Sequence, residues 1–404
     1  MLKKVKLGEL ASVKGGKRLP KGINLITEPN SHPYIRVRDL NNRSTLELND
    51  DFEYVDDETQ KSIARYIVES GDIVLSIVGT IGLVAVVGES LHKANLTENC
   101  VKLTQLDGVD RDYLYYFLKS DLGQAEIAKG TVGAVQAKLP IKNIQAIDVV
   151  LPEIATQQKI SRILRSVDDK IENNQNINDN LLKQLDALYI EFSQREQWEM
   201  TSVEEIAEKV AMGPFGSNIK VSTFVPSGVP IISGNHLRGY FLEEPSYNYI
   251  TEEHANRLKN SLVHSKDIVF THAGNIGQVA MIPNGSEYST YVLSQRQFYL
   301  RCDTSKVCPE YVNLFFHSKE GQHELLSYAN QTGVPSIAQP ATNLKKIKFP
   351  LPPMEAQREW ITLVEPIIDL YQLNYQEIKR LSSLRDSLLP KLMSGELDVS
   401  NIEL

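Results

Sequence analysis

The chain contains an internal repeat whose period is almost half of its length. This duplication limits the possible folds more than any other feature. The segments GDIVLSIVGTIGLVAVV (from Gly71) and KDIVFTHAGNIGQVAMI (from Lys266) share the pattern DIV…G.IG.VA. Further identical pairs keep the same order: Pro33/Pro230, Ile35/Ile232, Leu40/Leu237, Tyr113/Tyr311, Phe117/Phe315, Ser120/Ser318, Gly133/Gly333, Pro140/Pro340, Asn143/Asn343, Ile147/Ile347, Leu151/Leu351, Pro152/Pro352 and Gln157/Gln357. Since only small insertions intervene, the sequence predicts two copies of one domain.

Each copy begins with short β-rich stretches, glycine and asparagine turns and a few short helices. The apolar stretch from Ile73 to Val87 is interrupted by GTIG and is too short to span a membrane, so two buried strands around a turn are predicted. The segments DGVDRDYLYYFLKS and PEYVNLFFHS are predicted to be equivalent helices. A Leu-Pro pair then introduces a long helical pattern in each copy, as LPEIATQQ and LPPMEAQR.

The helical patterns carry heptad stripes of about four heptads each, in the same register. The first stripe is Ile160, Leu164, Val167, Ile171, Asn174, Asn178, Leu181, Leu185, Leu188 and Phe192. The second is Trp360, Val364, Ile367, Tyr371, Asn374, Ile378, Leu381, Arg385, Leu388 and Leu392. An amphipathic helix packed on its own domain is the alternative, but a coiled coil is favoured because each stripe offers the other a partner. Asn174 and Asn374 share one seam position and are predicted to specify register if their amides pair.

These patterns divide the 404 residues into four parts. The predicted boundaries are a first domain at residues 1–151, a first spacer helix at 152–197, a second domain at 198–350, and a second helix with the C-terminal tail at 351–404. The predicted fold class is α+β: two similar mixed α/β domains separated by two long helices, with an approximate two-fold internal repeat.

No sequence pattern for catalysis stands out. The chain has no GxxxxGK[ST], no HExxH, no GxSxG and no dinucleotide fingerprint. Cys100, Cys302 and Cys308 form no paired framework, which favours buried thiols and a reducing cytoplasm. We therefore predict a non-catalytic chain without a metal site or cofactor. The alternative, a nucleic-acid enzyme, has its best candidate in the acidic residues at 50–58, where a solvated surface is the favoured interpretation.

Charge favours a local binding surface. Lys+Arg is 43 and Asp+Glu is 51, for a net charge of −8, which excludes a protein covered in positive charge but not a basic patch. The stretch KGGKRLPKG is a glycine-hinged basic loop, and IRVRDLNNR predicts Arg36 and Arg38 on one face of a strand. Arg and Asn side chains read guanine and adenine edges bidentately.

The candidate DNA-binding residues come from these stretches and from their counterparts GPFGSNIKVS and IISGNHLRG. They are Lys14, Lys17, Arg18, Lys21, Arg36, Arg38, Asn41, Asn42, Arg43, Ser217, Asn218, Lys220, Asn235, His236 and Arg238. Solvated loop charges are the alternative for any single residue. Because the two copies differ in residue type on matching scaffolds, two modules that read different sequences are favoured. A scaffold that binds proteins only stays open as the rival function.

The sequence is similar to the specificity subunits of type I restriction–modification systems over nearly its whole length. The resemblance rests on LPEIATQQKISRILRSVDDKIENNQ, LPPMEAQREW and SLRDSLLPKLMSGEL, with support from GPFGSNIKVSTFVPSGVPII and the GDIV and KDIV segments. It implies that the two domains are target-recognition domains, each binding one half of a bipartite double-stranded DNA sequence. It also implies that the helices form an antiparallel coiled coil fixing the gap between half-sites.

The resemblance further implies partners. These are two methyltransferase subunits, with endonuclease subunits as a possible addition; S-adenosylmethionine and ATP belong to those subunits. Two residues depart from an ideal spacer. Pro366 is expected to kink the second helix, and Arg385, where the first copy has Leu185, is expected either to fray the seam or to pair with an acidic side chain. Pro390 and Gly395 are expected to end the second stripe.

Overall fold

The computed structural model describes residues 3–40, 44–133, 135–330, 333–399 and 402, without the side chain of Ser217. The chain divides into two units: residues 1–176 with 375–404 form unit 1, and residues 177–374 form unit 2. This division cuts both long helices near their midpoints. The predicted boundaries at residues 152, 198 and 351, which separate globular parts from helices, therefore stay a prediction.

The first part of the chain alternates short strands and helices before the first long helix. Its elements are β1 (Lys3–Lys6), α1 (Leu7–Leu10), β2 (Ser12–Gly15), β3 (Tyr34–Ile35), β4 (Thr45–Leu46), α2 (Asp57–Ile63), β5 (Ile73–Ser76), β6 (Val84–Val87), β7 (Asn95–Leu96), β8 (Cys100–Thr104), α3 (Arg111–Lys119), α4 (Asp121–Gly130), α5 (Ile141–Gln145), β9 (Asp148–Leu151) and the long helix α6 (Ile154–Gln194).

The rest of the chain follows a similar order, with three more short strands. Its elements are β10 (Glu199–Ser202), α7 (Val203–Ile206), β11 (Ala207–Met212), β12 (Val229–Ile232), β13 (Tyr249–Ile250), α8 (Glu252–Arg257), β14 (Leu262–Val263), β15 (Ile268–Thr271), β16 (Val279–Met281), β17 (Tyr291–Leu293), β18 (Gln297–Cys302), α9 (Pro309–His317), α10 (Lys319–Leu326), β19 (Ala329–Asn330), β20 (Ser336–Ile337), α11 (Pro340–Lys346), β21 (Lys348–Leu351) and α12 (Met354–Ser394).

Each unit is built on a mainly antiparallel sheet with the same central order. Unit 1 has the order β2-β8-β5-β6-β4, and unit 2 has β11-β18-β15-β16. All residues of β5, β6, β15 and β16 are buried, which confirms the prediction of buried strands around the GTIG turn. Gly79 and Gly82 have φ values of +82° and +92°, and the matching Gly274 and Gly277 have +88° and +85°. The turn therefore needs glycine at these positions in both copies.

The repeated aspartate of GDIV and KDIV has the same task in both units. Asp72 pairs with Lys102 on the next strand at 2.8 Å, and Asp267 pairs with Arg301 at 2.6 Å. Both carboxylates are buried and also accept a backbone N–H from the preceding turn. A buried carboxylate needs such partners, which explains why the match extends to this charged residue.

The repeated glutamines connect each long helix to the start of a shorter helix, α3 in unit 1 and α9 in unit 2. The Gln157 side chain donates to the Pro152 carbonyl at 2.9 Å and accepts from the Asp110 N–H at 2.9 Å. Gln357 makes the same two contacts, to the Pro352 carbonyl at 2.7 Å and the Cys308 N–H at 2.8 Å. Each glutamine therefore fixes where its long helix begins relative to α3 or α9.

The two long helices run antiparallel within each unit. In unit 1, Arg385 pairs with Asp168 at 2.9 Å, and Asn174 donates to Glu377 at 2.7 Å. In unit 2, the Trp360 indole donates to the Leu188 carbonyl at 3.3 Å and its ring stacks on Phe192 at 5.2 Å. Later residues of one helix meet earlier residues of the other, so the predicted antiparallel packing is confirmed, as is the acidic partner predicted for Arg385.

Two details of the predicted seam differ from the structure. The buried residues at one seam position are Asp168 and Ile368, one residue after the predicted Val167 and Ile367. Pro390 does not end the second helix, which continues to Ser394 before Gly395, at φ +75°, ends it. Helix α12 is continuous through Pro366, and the kink expected there stays a prediction.

The structure also differs from the predicted pairing of the Asn174 and Asn374 amides. Asn374 donates to the side-chain oxygen of Asn178 at 3.0 Å in unit 2, and Asn178 donates to the Tyr371 carbonyl at 3.2 Å. Asn174 instead donates to Glu377 in unit 1. Each of these amides therefore has its partner within its own unit, and the amide pair in the structure is Asn178 with Asn374. A role of this pair in register stays a prediction.

The cysteines are free, and Cys100 and Cys302 are buried as expected. Burial raises the pKa of the Cys100 thiol to about 12. Among the described residues, no helix is long and apolar enough to cross a bilayer. In the same part of the chain, no group of three His, Cys, Asp or Glu side chains could hold a metal ion.

Candidate nucleic-acid interface

The glycine-hinged loop after β2 is anchored at its base in unit 1. The Gly16 N–H donates to the Cys100 carbonyl at 3.0 Å, and the Lys17 N–H donates to the Leu96 carbonyl at 2.8 Å. A Cβ on Gly16 would lie 2.0 Å from the Thr97 carbonyl oxygen, so only glycine allows this approach. The Tyr34 hydroxyl also donates to the Lys17 carbonyl at 2.7 Å. A rigid base therefore carries the basic side chains.

The predicted basic residues at the end of β2 and in this loop are exposed. Lys14, Lys17, Arg18 and Lys21 all face solvent. The Lys17 ammonium lies 5.6 Å from the centre of the Tyr66 ring, and the Arg18 guanidinium lies 2.6 Å from Glu98. Exposed lysines and arginines on an ordered loop are suited to phosphate contacts.

Glu98 lies in the turn before β8, beside the loop. Burial alone would raise the pKa of Glu98, but hydrogen bonds from Arg18, from the backbone N–H of Glu98 and from the Thr97 hydroxyl outweigh burial and lower this pKa. Glu98 therefore stays ionised and holds Arg18 at the surface of the turn.

A 3-10 turn at Val37–Asp39 carries the two predicted arginines. The strand ends at Ile35, so the prediction that Arg36 and Arg38 share one face of a strand is wrong. The Arg36 N–H and guanidinium both bind Asp39, at 2.7 and 3.1 Å, and the guanidinium also pairs with Glu53. Only 16% of the Arg36 side chain is exposed. Arg36 therefore stabilises the turn and is not presented to a ligand.

Arg38 is presented. It lies in the middle of the turn with 63% of its side chain exposed, and it pairs with Glu53 at 2.9 Å. The predicted neighbours Asn41, Asn42 and Arg43 lie outside the described residues.

Unit 2 has the same turn at Gly234–His236. The Ser233 N–H donates to His236 Nδ1 at 2.9 Å, so Nε2 carries the proton and donates to the Ser246 carbonyl at 2.9 Å. The ring is buried and stacks on Tyr247 at 4.5 Å. His236 is therefore the counterpart of Asp39, a side chain that closes the turn, and the structure does not present it to DNA as predicted.

The residue before each of these closing side chains is exposed in both units. Asn235 occupies the place of Arg38 and is exposed. Arg238 is exposed as well, close enough to Glu243 to act on its charge. Burial raises the pKa of Glu243, and Arg238 opposes that rise only in part. The two turns therefore share a backbone and differ in the side chain they present.

The loop after β11 in unit 2 is anchored like the loop in unit 1. The Gly213 N–H donates to the Gln297 carbonyl at 2.8 Å, and a Cβ there would lie 2.0 Å from the Ser294 carbonyl oxygen. Asn218 and Lys220 are exposed on this loop. The predicted Ser217 lies in the 3-10 turn Gly216–Asn218, and its side chain is outside the described part of the chain.

Several basic residues near these loops were not predicted. Arg65 is exposed next to Tyr66, which Lys17 contacts in unit 1. In unit 2, Arg257 and Lys259 line a cleft of about 720 Å³ with Phe215 and Asn218. Arg296 is exposed in the turn before β18. Only tertiary packing places these residues beside the loops, so no signal in the linear sequence selected them.

Two carboxylates of the acidic stretch at residues 50–58 serve the local structure. Asp56 accepts the Thr59 N–H at 2.7 Å and begins α2, and Glu53 pairs with Arg36 and Arg38. These carboxylates are therefore engaged in capping and ion pairs.

Comparison with known proteins assigns the family. The family model of the type I restriction modification DNA specificity domain matches this chain twice, at residues 2–183 and 195–383. The chain belongs to this family. The two matches agree with the predicted duplication.

Two curated relatives are specificity subunits of type I restriction enzymes from Methanocaldococcus jannaschii. The MjaIX subunit is 23% identical over 399 residues, covering 92% of this chain and 88% of the relative. The MjaVIII subunit is 22% identical over 333 residues, covering 77% and 76%. A crystal structure of the type I system S subunit from M. genitalium has the same fold, with a TM-score of 0.59, 16% identity and coverage of 97% and 96%.

Family membership confirms the predicted role. The chain is a DNA-specificity subunit of a type I restriction–modification system, and catalysis in such systems belongs to other subunits. Membership implies DNA as a partner, together with methyltransferase and endonuclease subunits, and does not favour a scaffold that binds proteins only.

Proposed function

We propose that this specificity subunit reads a DNA target of two separate half-sites, one with each unit. The observation that carries the proposal is the pair of equivalent turns. Asp39 and His236 close the same backbone turn, while the neighbouring Arg38 and Asn235 are exposed. Arg pairs bidentately with guanine and Asn with adenine in the major groove. Identical scaffolds with different exposed side chains are what two readers of different sequences require.

The surrounding exposed residues divide by chemistry. Cations that lie away from the turns are assigned to phosphates, which set position without reading sequence. They are Lys14, Lys17 and Lys21 with Arg65 in unit 1, and Lys220, Arg238, Arg257 and Lys259 in unit 2. Arg38, Asn218 and Asn235 are assigned to base edges. We retain residues 1–151 and 198–350 as the two recognition modules.

The long helices are proposed to dock two methyltransferase subunits, with endonuclease subunits as further partners. In unit 2, Leu363, Leu370 and Leu373 of α12 are 59%, 44% and 63% exposed. Their spacing puts them on one side of a helix. A row of leucines in solvent favours a partner helix of apolar character. Since its substrate is chromosomal DNA and its thiols are unpaired, we place the complex in the cytoplasm.

The experiment is a map of methyladenine in the host genome with and without this gene. Loss of modification at one motif, with two defined halves around an unspecified gap, is the expected result. A strain that expresses the methyltransferase and shows no change, or a motif without a gap, would contradict the proposal.

Two variants then test the turns. Arg38→Ala and Asn235→Ala are each expected to relax one position of the motif, in different halves, because a lost bidentate contact costs about 1–3 kcal/mol of discrimination. Arg111→Ala is the matched control: this arginine is also exposed and pairs with a carboxylate, Asp112, at 2.8 Å, but begins α3. If both variants relax the same half-site, one reader per unit is the wrong assignment.

A further inference from the structure

One exposed position recurs in both anchored loops but differs sharply in chemistry. It lies two residues after the glycine that anchors each loop. In unit 1 this residue is Arg18, two residues after Gly16, and in unit 2 it is Phe215, two residues after Gly213. The Arg18 side chain is 80% exposed, and Phe215 is 75% exposed. The backbone bonds of the two glycines to β8 and β18 are equivalent, so the two side chains leave the same place on the scaffold.

The turn beside each loop differs in a matching way. In unit 1, Glu98 holds the Arg18 guanidinium at 2.6 Å. Gln295 occupies the place of Glu98 in unit 2, and its side-chain amide donates to the Gly216 and Ile219 carbonyls, the latter at 3.0 Å. The amide therefore fixes the loop backbone and leaves the Phe215 ring in solvent, whereas the carboxylate fixes the arginine itself.

The surroundings of Phe215 show what kind of ligand it meets. The ring borders a cleft whose other lining includes Asn218, Arg257 and Lys259. An exposed aromatic ring lowers its free energy when it is covered by an apolar group. The cations and the amide around it favour a polyanion with hydrogen-bonding edges. A thymine combines these features, because its C5-methyl group lies in the major groove of an anionic duplex.

We infer that Arg18 and Phe215 are equivalent specificity-determining residues, and that Phe215 packs on the C5-methyl group of a thymine in the half-site read by unit 2. Arg18 then reads a guanine in the other half-site, through the same groove. This inference rests on the proposed function, since it needs each unit to read one half-site. It adds one base-reading position in each unit to those assigned above, which are Arg38 in unit 1 and Asn218 with Asn235 in unit 2.

The test uses the full-length chain with its methyltransferase subunits and a duplex carrying the mapped target. Each thymine is replaced in turn by deoxyuridine, which lacks only the C5-methyl group, and the dissociation constant is measured. One replacement is expected to weaken binding about fourfold, the value of one buried methyl group. With Phe215→Ala, that replacement is expected to have no effect, while the other replacements behave as in the wild type.

Val221→Ala is the matched control, since Val221 is 82% exposed and apolar but lies in the following 3-10 turn, Val221–Thr223. It is expected to keep the fourfold response. The inference is overturned if Phe215→Ala also keeps the response, or if no thymine responds in the wild type. It is equally overturned if Phe215→Ala weakens binding to target and unrelated DNA alike, which would indicate a protein contact or a general loss of the loop.

The proposed contact of Arg18 with guanine is tested independently. Replacing one guanine by 7-deazaguanine removes the N7 acceptor, and the resulting loss of affinity is expected to disappear in Arg18→Ala. The variant Phe215→Arg places a guanidinium at the equivalent position of unit 2 while Gln295 keeps its bonds to the loop, and it is expected to change a thymine preference to guanine at one position. Failure of the proposed function would appear earlier, as a wild-type complex without a split target, so the two failures are distinguishable.

Discussion

A buried ion pair between the helix halves of unit 1 offers a sharp test of how the repeat is stabilised. Asp168 is 3% exposed and accepts from Arg385 at 2.9 Å and from the Tyr116 hydroxyl at 2.8 Å. The equivalent positions in unit 2 are Ile368, Leu185 and Leu314, all buried in its core. The same place in the fold is therefore polar in one unit and apolar in the other.

Asp168→Ala leaves a guanidinium and a phenol without their acceptor. Removing one partner of a buried pair costs about 3–5 kcal/mol. A loss of stability near the lower end of this range is expected for Asp168→Ala, because Arg385 also pairs with the exposed Asp386 at 2.8 Å. The triple variant Tyr116→Leu, Asp168→Ile, Arg385→Leu copies unit 2, and is expected to lie within about 1 kcal/mol of the wild type or above it, since apolar replacements of buried pairs are often neutral or stabilising.

The assay is urea unfolding of the full-length chain with two signals. Both tryptophans, Trp198 and Trp360, lie in unit 2, so fluorescence reports that unit, while far-ultraviolet circular dichroism reports both. With a slope of about 2 kcal/mol per molar urea, a loss of about 3 kcal/mol lowers the unit 1 midpoint by about 1.5 M. The fluorescence midpoint is expected to move much less.

Asp169→Ala is the control, because Asp169 is 56% exposed and pairs with Arg165 at the surface. Its expected effect is below about 1 kcal/mol. The reasoning is refuted if the triple variant loses as much stability as Asp168→Ala, or if Asp168→Ala behaves like the control.

Three further predictions follow from single contacts. Replacing Asn178 and Asn374 together by Leu is expected to raise the fluorescence midpoint but impair methylation by the assembled complex, because a buried amide pair specifies register at a cost in stability; unimpaired methylation would contradict the register role. Burial lowers the pKa of His317 to about 4, and its Nε2 has no partner among the described residues. Since the unfolded state then binds more protons, stability is expected to fall as the pH drops from about 6.5 towards 4, by at most about 3 kcal/mol more than in His317→Phe, measured by urea midpoints at several pH values. Gly16→Ala is expected to distort the basic loop and weaken DNA binding, whereas Gly15→Ala, whose Cβ would meet nothing closer than 3.7 Å, is expected to leave the dissociation constant unchanged.

The duplicated pattern was enough to predict most of the fold. Repeated apolar stretches become the buried strands β5, β6, β15 and β16, and the two Leu-Pro pairs precede α6 and α12. Heptad reasoning failed at Asp168, because a pattern of apolar residues does not predict a buried carboxylate whose partners come from other elements. The pattern also could not predict the exact antiparallel register, which pairs Asn174 with Glu377 and Asn178 with Asn374.

The candidate interface was predictable only in part. Aligning the two copies placed Asn235 where Arg38 lies, and the structure shows the same turn at both places. The linear sequence could not tell which side chains close that turn, so Arg36 and His236 were wrongly expected to be available. Arg257 lies beside the second loop only through tertiary packing.

In each of the two equivalent turns, adjacent residues have different roles: one closes the turn and the other is exposed. Asp39 and His236 have different chemistry, yet each accepts a backbone N–H three residues back and thereby fixes the same conformation. The preceding residue, Arg38 or Asn235, makes no backbone contribution of this kind and is exposed. A change of the exposed residue is therefore expected to leave the turn intact, whereas a change of the closing residue needs another acceptor at the same place. This division explains in physical terms how one backbone turn, present twice in the chain, carries different exposed side chains without a change of fold.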